Sequence, residues 1–220
     1  LNPLIFYTAV EFARGSRAGN SLVGASLKYK MKNVSLYSQL VLDDFRASEI
    51  TSSNGWWANK YGIQIGAKYY NAFNIENLFL QVEYNRLRPY TYSHDELNYN
   101  YGHNNQSLGH QWGGNFRELV AIARYHKGRY FADAKVIVGE RGLDFNNVTD
   151  SFNYGSNIYL SYNENRPYDT GVNIGQGNKT SIFIADLQAG YLINPSTNMK
   201  LFGSFIYRDF NPATETATAI

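Results

Sequence analysis

Apolar and polar residues alternate with a period of two along most of this chain. Between Ser21 and Lys32, Val23, Ala25, Leu27, Tyr29 and Met31 fall on one side, with Ser26, Lys28, Lys30 and Lys32 on the other. Such alternation is the signature of a β-strand with two unlike faces, because successive side chains point to opposite sides of a sheet. Tyr61, Ile63, Ile65, Ala67 and Tyr69 oppose Gln64 and Lys68, and Leu78, Leu80, Val82 and Tyr84 oppose Gln81, Glu83 and Asn85. Further on, Tyr130, Ala132, Ala134, Val136 and Val138 oppose Arg129, Asp133 and Lys135, while Phe183, Ala185, Leu187, Ala189, Tyr191 and Ile193 oppose Asp186 and Gln188. Weaker versions occupy 4–13, 34–45, 116–126 and 198–210; in the last two, Val120, Ile122, Phe202 and Ile206 interrupt the polar side. The pattern predicts nine strands and no helix, an all-β chain.

The connections carry a second pattern. Short ones fall at 32–33, 71–77, 127–128 and 194–197, and between them lie 14–20, 46–60, 89–115 and 140–180, most of them much longer. Short and long links alternate, which places all short turns at one end of an antiparallel sheet. Outer-membrane barrels have this arrangement, whereas a sandwich has no reason to keep it. Aromatic residues on the apolar sides fit the same picture: Tyr29, Tyr69, Tyr125, Tyr130 and Tyr191 cluster toward the short turns, and Tyr61, Tyr84, Phe183 and Tyr207 toward the long loops. Tyr61 and Tyr69 are eight positions apart, as are Phe183 and Tyr191. At roughly 3.3 Å per residue and a tilt of about 40° that spans on the order of 20 Å, close to the apolar band between two aromatic girdles.

Composition narrows the classes. The 220 residues include 19 Tyr, 13 Phe and 19 Gly, with no Cys and a formal charge of +2 spread along the chain. Absence of cysteine excludes disulfides and thiolate metal sites, and absence of a basic block argues against nucleic acid as a partner. No apolar run is long enough for a membrane-spanning helix. Residues 1–12 lack the features of a signal peptide, so the sequence is read as processed or cut from something longer. Nine strands cannot close a bacterial barrel, which takes an even number. The expectation is therefore a barrel portion at 1–212, a polar tail at 213–220, and the remainder of the barrel supplied by residues outside this sequence.

The most distinctive residues lie in the 89–115 connection and its flanks. Arg88 opens the run RPYTYSH, which contains Tyr90, Tyr92 and His94; Tyr101, His103, Asn104, Asn105, Gln106, His110, Trp112, Asn115, Arg117 and Glu118 follow. Together with Leu108-Gly109-His110, Gly175-Gln176-Gly177-Asn178 and Tyr191-Leu192-Ile193-Asn194-Pro195, this stretch resembles the Wzi-type capsule-assembly outer-membrane barrel family and its RemB-like gliding-motility relatives in Bacteroidota. The likeness runs from about residue 4 to 212 and corresponds to the C-terminal portion of such proteins. It implies a monomeric barrel of about eighteen strands in the bacterial outer membrane. The partners it implies are membrane lipid and either surface polysaccharide or the gliding and secretion machinery.

The loop chemistry suits contact better than catalysis. Tyr90, Tyr92, Tyr99, Tyr101 and Trp112 offer ring faces, and Arg88, His94, Asn104, Asn105 and Gln106 offer donors and acceptors. The expected contact residues are Arg88, Tyr90, Tyr92, His94, Tyr101, His103, Asn105, Gln106, His110, Trp112, Asn115, Arg117 and Glu118. An alternative is that the same loop plugs the lumen and satisfies itself internally. His94, His103 and His110 follow no zinc spacing, and Ser93 next to His94 points away from it in an extended chain. A non-enzymatic surface protein without cofactor or metal is expected, with a solute pore as the main alternative and a hydrolase as a minor one.

Overall fold

The computed structural model describes residues 20–44, 54–145 and 151–214. It contains β1 (Val23–Lys30), β2 (Val34–Asp44), β3 (Lys60–Tyr70), β4 (Leu78–Leu87), the two-residue strands β5 (Gly102–His103) and β6 (Gln106–Ser107), β7 (Phe116–Lys127), β8 (Tyr130–Leu143), β9 (Asn178–Asn194) and β10 (Met199–Pro212). Strands β5 and β6 form a hairpin of their own, and the other eight form one antiparallel sheet in chain order. Single 3₁₀ turns at Ala72–Asn74 and Leu97–Tyr99 are the only helical elements among the described residues. Every strand expected from residue 21 onward is present. The one expected at 4–13 lies outside the described residues. Strands β1 and β10 each pair on one side only among the described residues, so the sheet is open. Pairing also continues past the expected boundary at 212, because Ala213 N donates to Lys179 O (2.8 Å) and Thr214 N to Asn178 Oδ1 (3.1 Å).

Register separates two unlike faces. On one, Leu27, Ser38, Ile65, Tyr84, Leu119, Val138 and Phe183 stand in a single row across seven strands. This face is bare: Leu27 is 70% exposed, Ile65 56% and Leu187 44%. On the other, Gln39, Gln64, Asn85, Glu118, Gly139 and Ile182 share a row. The buried apolar cluster of Leu87, Phe116, Val120, Ile137 and Ile182 belongs to this second face, where loop residues Tyr92, Trp112 and Ile158 complete it. The sheet thus turns its main apolar surface outward and keeps its core under its loops, a reversal that is costly in water.

The aromatics on the bare face run in two slanted lines. On the turn side, Tyr29 shares a row with Leu36 and Ala67, Tyr69 lies two residues farther toward the turns, Tyr125 two beyond that, and Tyr130 two more. This line moves six residues over the five strand steps from β1 to β8. On the loop side, the row of Ile65, four residues from Tyr61, leads to Phe183, and Tyr207 pairs with Ala185, two residues farther; Tyr84, in the Ile65 row on β4, lies inside the line, within the band. The line again moves six residues over five steps, from β3 to β10. A drift of about 1.2 residues per strand, at roughly 3.3 Å per residue and about 4.8 Å between strands, corresponds to strands tilted by about 40° from the perpendicular to those lines. Between the lines the outward positions carry no charged side chain among the described residues except Arg86, at the loop-side margin; Ile63, Val82, Ala121, Ala134, Val136, Ala185 and Phe205 are typical.

The covered face is held by a cross-strand polar ladder. Tyr37 Oη donates to Glu83 Oε2 across β3 and accepts from Gln81 Nε2 (2.9 Å); Asn85 Nδ2 donates to Glu83 Oε1 (3.0 Å) and Glu118 Oε1 (2.8 Å), and Gln64 Nε2 to Asn85 Oδ1 (3.0 Å). Tyr37 reaches β4 only because Gly66 lies beneath it: a Cβ there falls 2.2 Å from Tyr37 Cζ. Gly66→Ala is therefore expected to lower the unfolding free energy by about 1–3 kcal/mol in denaturant titration. In a Tyr37→Ala background the same change becomes nearly neutral. A full penalty in both backgrounds would show that the tyrosine is not what Gly66 accommodates.

Candidate functional site

The three long connections between described strands emerge at one end of the sheet, and their described parts, 54–59, 88–115, and 144–145 with 151–177, pack together there. The 88–115 connection turns in over the covered face, where Tyr92 and Trp112 pack against Leu87, Phe116 and Val120. The polar side of β7 is interrupted at Val120 and Ile122 for this reason: those positions meet the loop core. Phe202 and Ile206, the corresponding irregularities on β10, are exposed.

Arg88 sits just past the end of β4. Its Nε donates to Asn59 O (2.8 Å) and its Nη2 to Trp56 O (3.1 Å) and Val172 O (3.3 Å), so one buried guanidinium ties the three connections together. Burial pushes its pKa below the ordinary arginine value, and carbonyl dipoles replace the lost hydration. Tyr90 and Tyr92 follow with φ of 65° and 77°, in the left-handed region where bulky residues are strained. Tyr90 is fixed at both ends: its N–H donates to Gly155 O (2.9 Å) and its hydroxyl to Asn153 O (2.7 Å). Gly155 has φ of 81°, and a Cβ on it falls 2.5 Å from Tyr90 N. Burial raises both phenols, Tyr92 to about 12, so both stay neutral.

Asn115 is the central clasp. Fully buried with φ of 56°, it donates from Nδ2 to Gly142 O (2.9 Å), Tyr154 O (3.1 Å) and Gln176 O (3.0 Å) and accepts at Oδ1 from Gly175 N (2.8 Å). Asparagine suits the position because its short amide tolerates the left-handed conformation. Nearby, His110 stacks on Phe116 (4.2 Å between ring centroids), and its Nε2 lies 3.0 Å from the buried Glu118 Oε1, which joins the loop to the ladder through Asn85. His94 meets Tyr99 and Tyr162 edge-on and accepts from Glu96 N at Nδ1 (3.1 Å). Ser93 is buried and donates its hydroxyl to Tyr90 O (2.6 Å), away from any base. Among the described residues no three His, Asp or Glu side chains are grouped to hold a metal.

The expected contact residues therefore divide. Arg88, Tyr90, Tyr92, Trp112, Asn115 and Glu118 are buried in the loop packing and present no surface to a ligand. His94 and His110 are half-buried. Arg117 departs from the expected loop surface differently: it stands on the bare face and pairs with Glu140 (2.7 Å). Tyr101, His103, Asn105 and Gln106 remain exposed on the β5–β6 hairpin, whose Asn104-Asn105 turn has both φ values positive, as a two-residue type I′ turn requires. Tyr168, on the neighbouring connection, is also exposed.

Two further features lie outside the expected contact residues: a charge pair with no signal in the sequence, and Trp57 of the adjacent pair Trp56-Trp57, which a long loop could use for membrane anchoring or for packing. Lys60 and Asp43 form a buried ion pair (3.3 Å), with Asp43 Oδ2 also accepting from Tyr92 N (2.8 Å) and Lys60 donating to Ser93 O (3.3 Å). Trp57 packs on Tyr162 (5.0 Å), with the Arg166 guanidinium 3.8 Å from its ring centre, so this tryptophan serves loop packing. No protein-family model, curated protein or solved structure matches this chain.

Asn115→Ala leaves Gly142 O, Gln176 O and Gly175 N without their side-chain partner in a buried site, and Tyr154 O with only Gln176 Nε2. It is expected to cost about 3 kcal/mol and to speed proteolysis within 144–177 before the sheet is cut. Wild-type protease resistance in the variant would contradict the clasp.

Proposed function

We propose that this chain is a wall segment of a bacterial outer-membrane β-barrel whose loop end is closed by its own loops, and that it acts without catalysis as a surface platform. The observation that carries the membrane reading is the pair of parallel aromatic lines enclosing an apolar outward band whose one charged residue, Arg86, lies at its margin. Outer-membrane barrels have an apolar band between aromatic girdles and strands tilted by about 35–45°, the angle to which the drift of the two lines corresponds. The open edges at β1 and β10 are then completed by further strands, since lipid leaves no backbone group unpaired. Ala134→Arg, in the middle of the band, is expected to destabilise the protein refolded in lipid vesicles by about 2–4 kcal/mol, whereas Ser181→Arg, beyond the loop-side line, changes it by no more than about 1 kcal/mol. Equal effects would contradict the membrane reading.

The buried loop packing favours a platform over an open pore. What the loop end offers to partners is the β5–β6 hairpin with Tyr101, His103, Asn105 and Gln106, and Tyr168 beside it: ring faces for stacking and amides for hydroxyl groups. These suit surface polysaccharide or a protein of the gliding or secretion machinery, the partners implied by the resemblance. Deletion of the full-length gene should reduce capsule retention or surface motility, and hairpin substitutions should lower glycan binding by the purified barrel. A small-solute pore is the second reading. It is favoured by a cavity of about 390 Å³ on the covered face, lined by Arg124, His126, Asp133, Lys135, Asp186 and Gln188. Normal capsule and motility, no glycan binding and large steady single-channel currents would establish the pore instead.

A further inference from the structure

Two arginines face each other on the bare side of the sheet. Arg86 of β4 and Arg117 of β7 are register partners, so their Cβ atoms are neighbours, and both side chains are exposed. Like charges directly opposite on adjacent strands are unfavourable unless an anion joins them. Arg117 shares Glu140 (2.7 Å) with Lys179 (2.7 Å), which leaves three cations to one carboxylate; Arg86 has no carboxylate partner among the described residues. Their place in the fold is specific. Both arginines fall within about one residue of the slanted line from Tyr61 to Tyr207, given its drift of about 1.2 residues per strand, and Tyr84 and Leu119 of the apolar band lie directly below them.

We propose that Arg86 and Arg117 form a binding site for the phosphate of an outer-leaflet lipid headgroup, with the acyl chains lying along the apolar band beneath. The inference rests on the membrane reading above. A phosphate is the complementary group: it brings up to two negative charges and several acceptor oxygens to two guanidinium forks that otherwise repel each other. The band directly below supplies the surface that a free anion could not use. Leu27, Leu36, Ile65 and Ala67, with Val82 and Tyr84 of the Arg86 strand itself, line an apolar hollow of about 500 Å³ in that band.

The test uses the full-length protein and three variants, Arg86→Ala/Arg117→Ala, Arg86→Lys/Arg117→Lys and Lys127→Ala, the last removing a cation at the turn end. Flotation with phosphatidylcholine vesicles first establishes insertion. Native mass spectrometry in detergent then counts bound phosphatidic acid against phosphatidylcholine. Wild-type protein and Lys127→Ala should hold phosphatidic acid at least tenfold more tightly, the lysine pair should keep part of that preference, and the alanine pair should lose it while still floating. A protein that floats but shows no preference, or an alanine pair that keeps it, would overturn the site. A protein that fails to float would overturn the membrane reading itself.

Discussion

The two-residue period of a β-strand places alternate side chains on opposite faces, and everything else in this molecule follows from which face received the uninterrupted apolar set. Here that set lies on the face the loops leave bare, while the loop-covered face carries Tyr37, Gln64, Gln81, Glu83, Asn85 and Glu118. A sheet in water buries its apolar side. In the membrane reading proposed above the apolar side meets lipid instead, and the polar side is paired within the chain by the ladder from Tyr37 to His110.

The loop end then has to solve a different problem. Three long connections need a core of their own, because ordering a chain without burial costs conformational entropy. The covered face supplies one by changing character near the loops, from the charged residues around Arg124 and Asp186 to Val120, Ile137, Ile182 and Phe116. Polar cross-links fix what the apolar contacts leave adjustable. Arg88 gathers carbonyls from two connections onto the third, Asn115 binds backbone from 142 to 176, and the Lys60–Asp43 pair anchors Tyr92 and Ser93. Buried, strained Tyr90 and Tyr92 hold their conformation because contacts on both sides determine it.

Strand positions and faces were legible from alternation alone, since period two is a local property that survives even where Val120 interrupts it. The aromatic clusters were legible too, as pairs eight residues apart on single strands. Their slant was not, because it exists only once register relates Tyr29 to Tyr69 and Tyr61 to Tyr207. Loop residues were the least readable. Tyr90, Tyr92, Trp112 and Asn115 have the chemistry of a contact surface, yet long-range packing buries them; His103, Asn105 and Gln106 have the same chemistry and stay outside on a hairpin. Nothing in local sequence distinguishes these fates. Lys60 and Asp43 are likewise ordinary strand-end charges until the fold pairs them.

These 220 residues contain no cysteine, so once any cysteine elsewhere in the full-length protein is replaced by serine, depth is directly measurable. Single cysteines placed at Leu27, Ile65, Ala121, Ala134, Leu187 and Phe205 in the vesicle-reconstituted full-length protein can carry nitroxide labels. Their accessibility to oxygen and to a water-soluble nickel chelate reports immersion. The account predicts high oxygen and low nickel accessibility at all six positions. It also predicts that labels along each aromatic line, at Tyr29, Tyr69, Tyr125 and Tyr130 or at Tyr61, Phe183 and Tyr207, report one common interfacial depth although they occupy different rows of the sheet. Nickel accessibility throughout, or depths that follow the rows instead of the slanted lines, would contradict it.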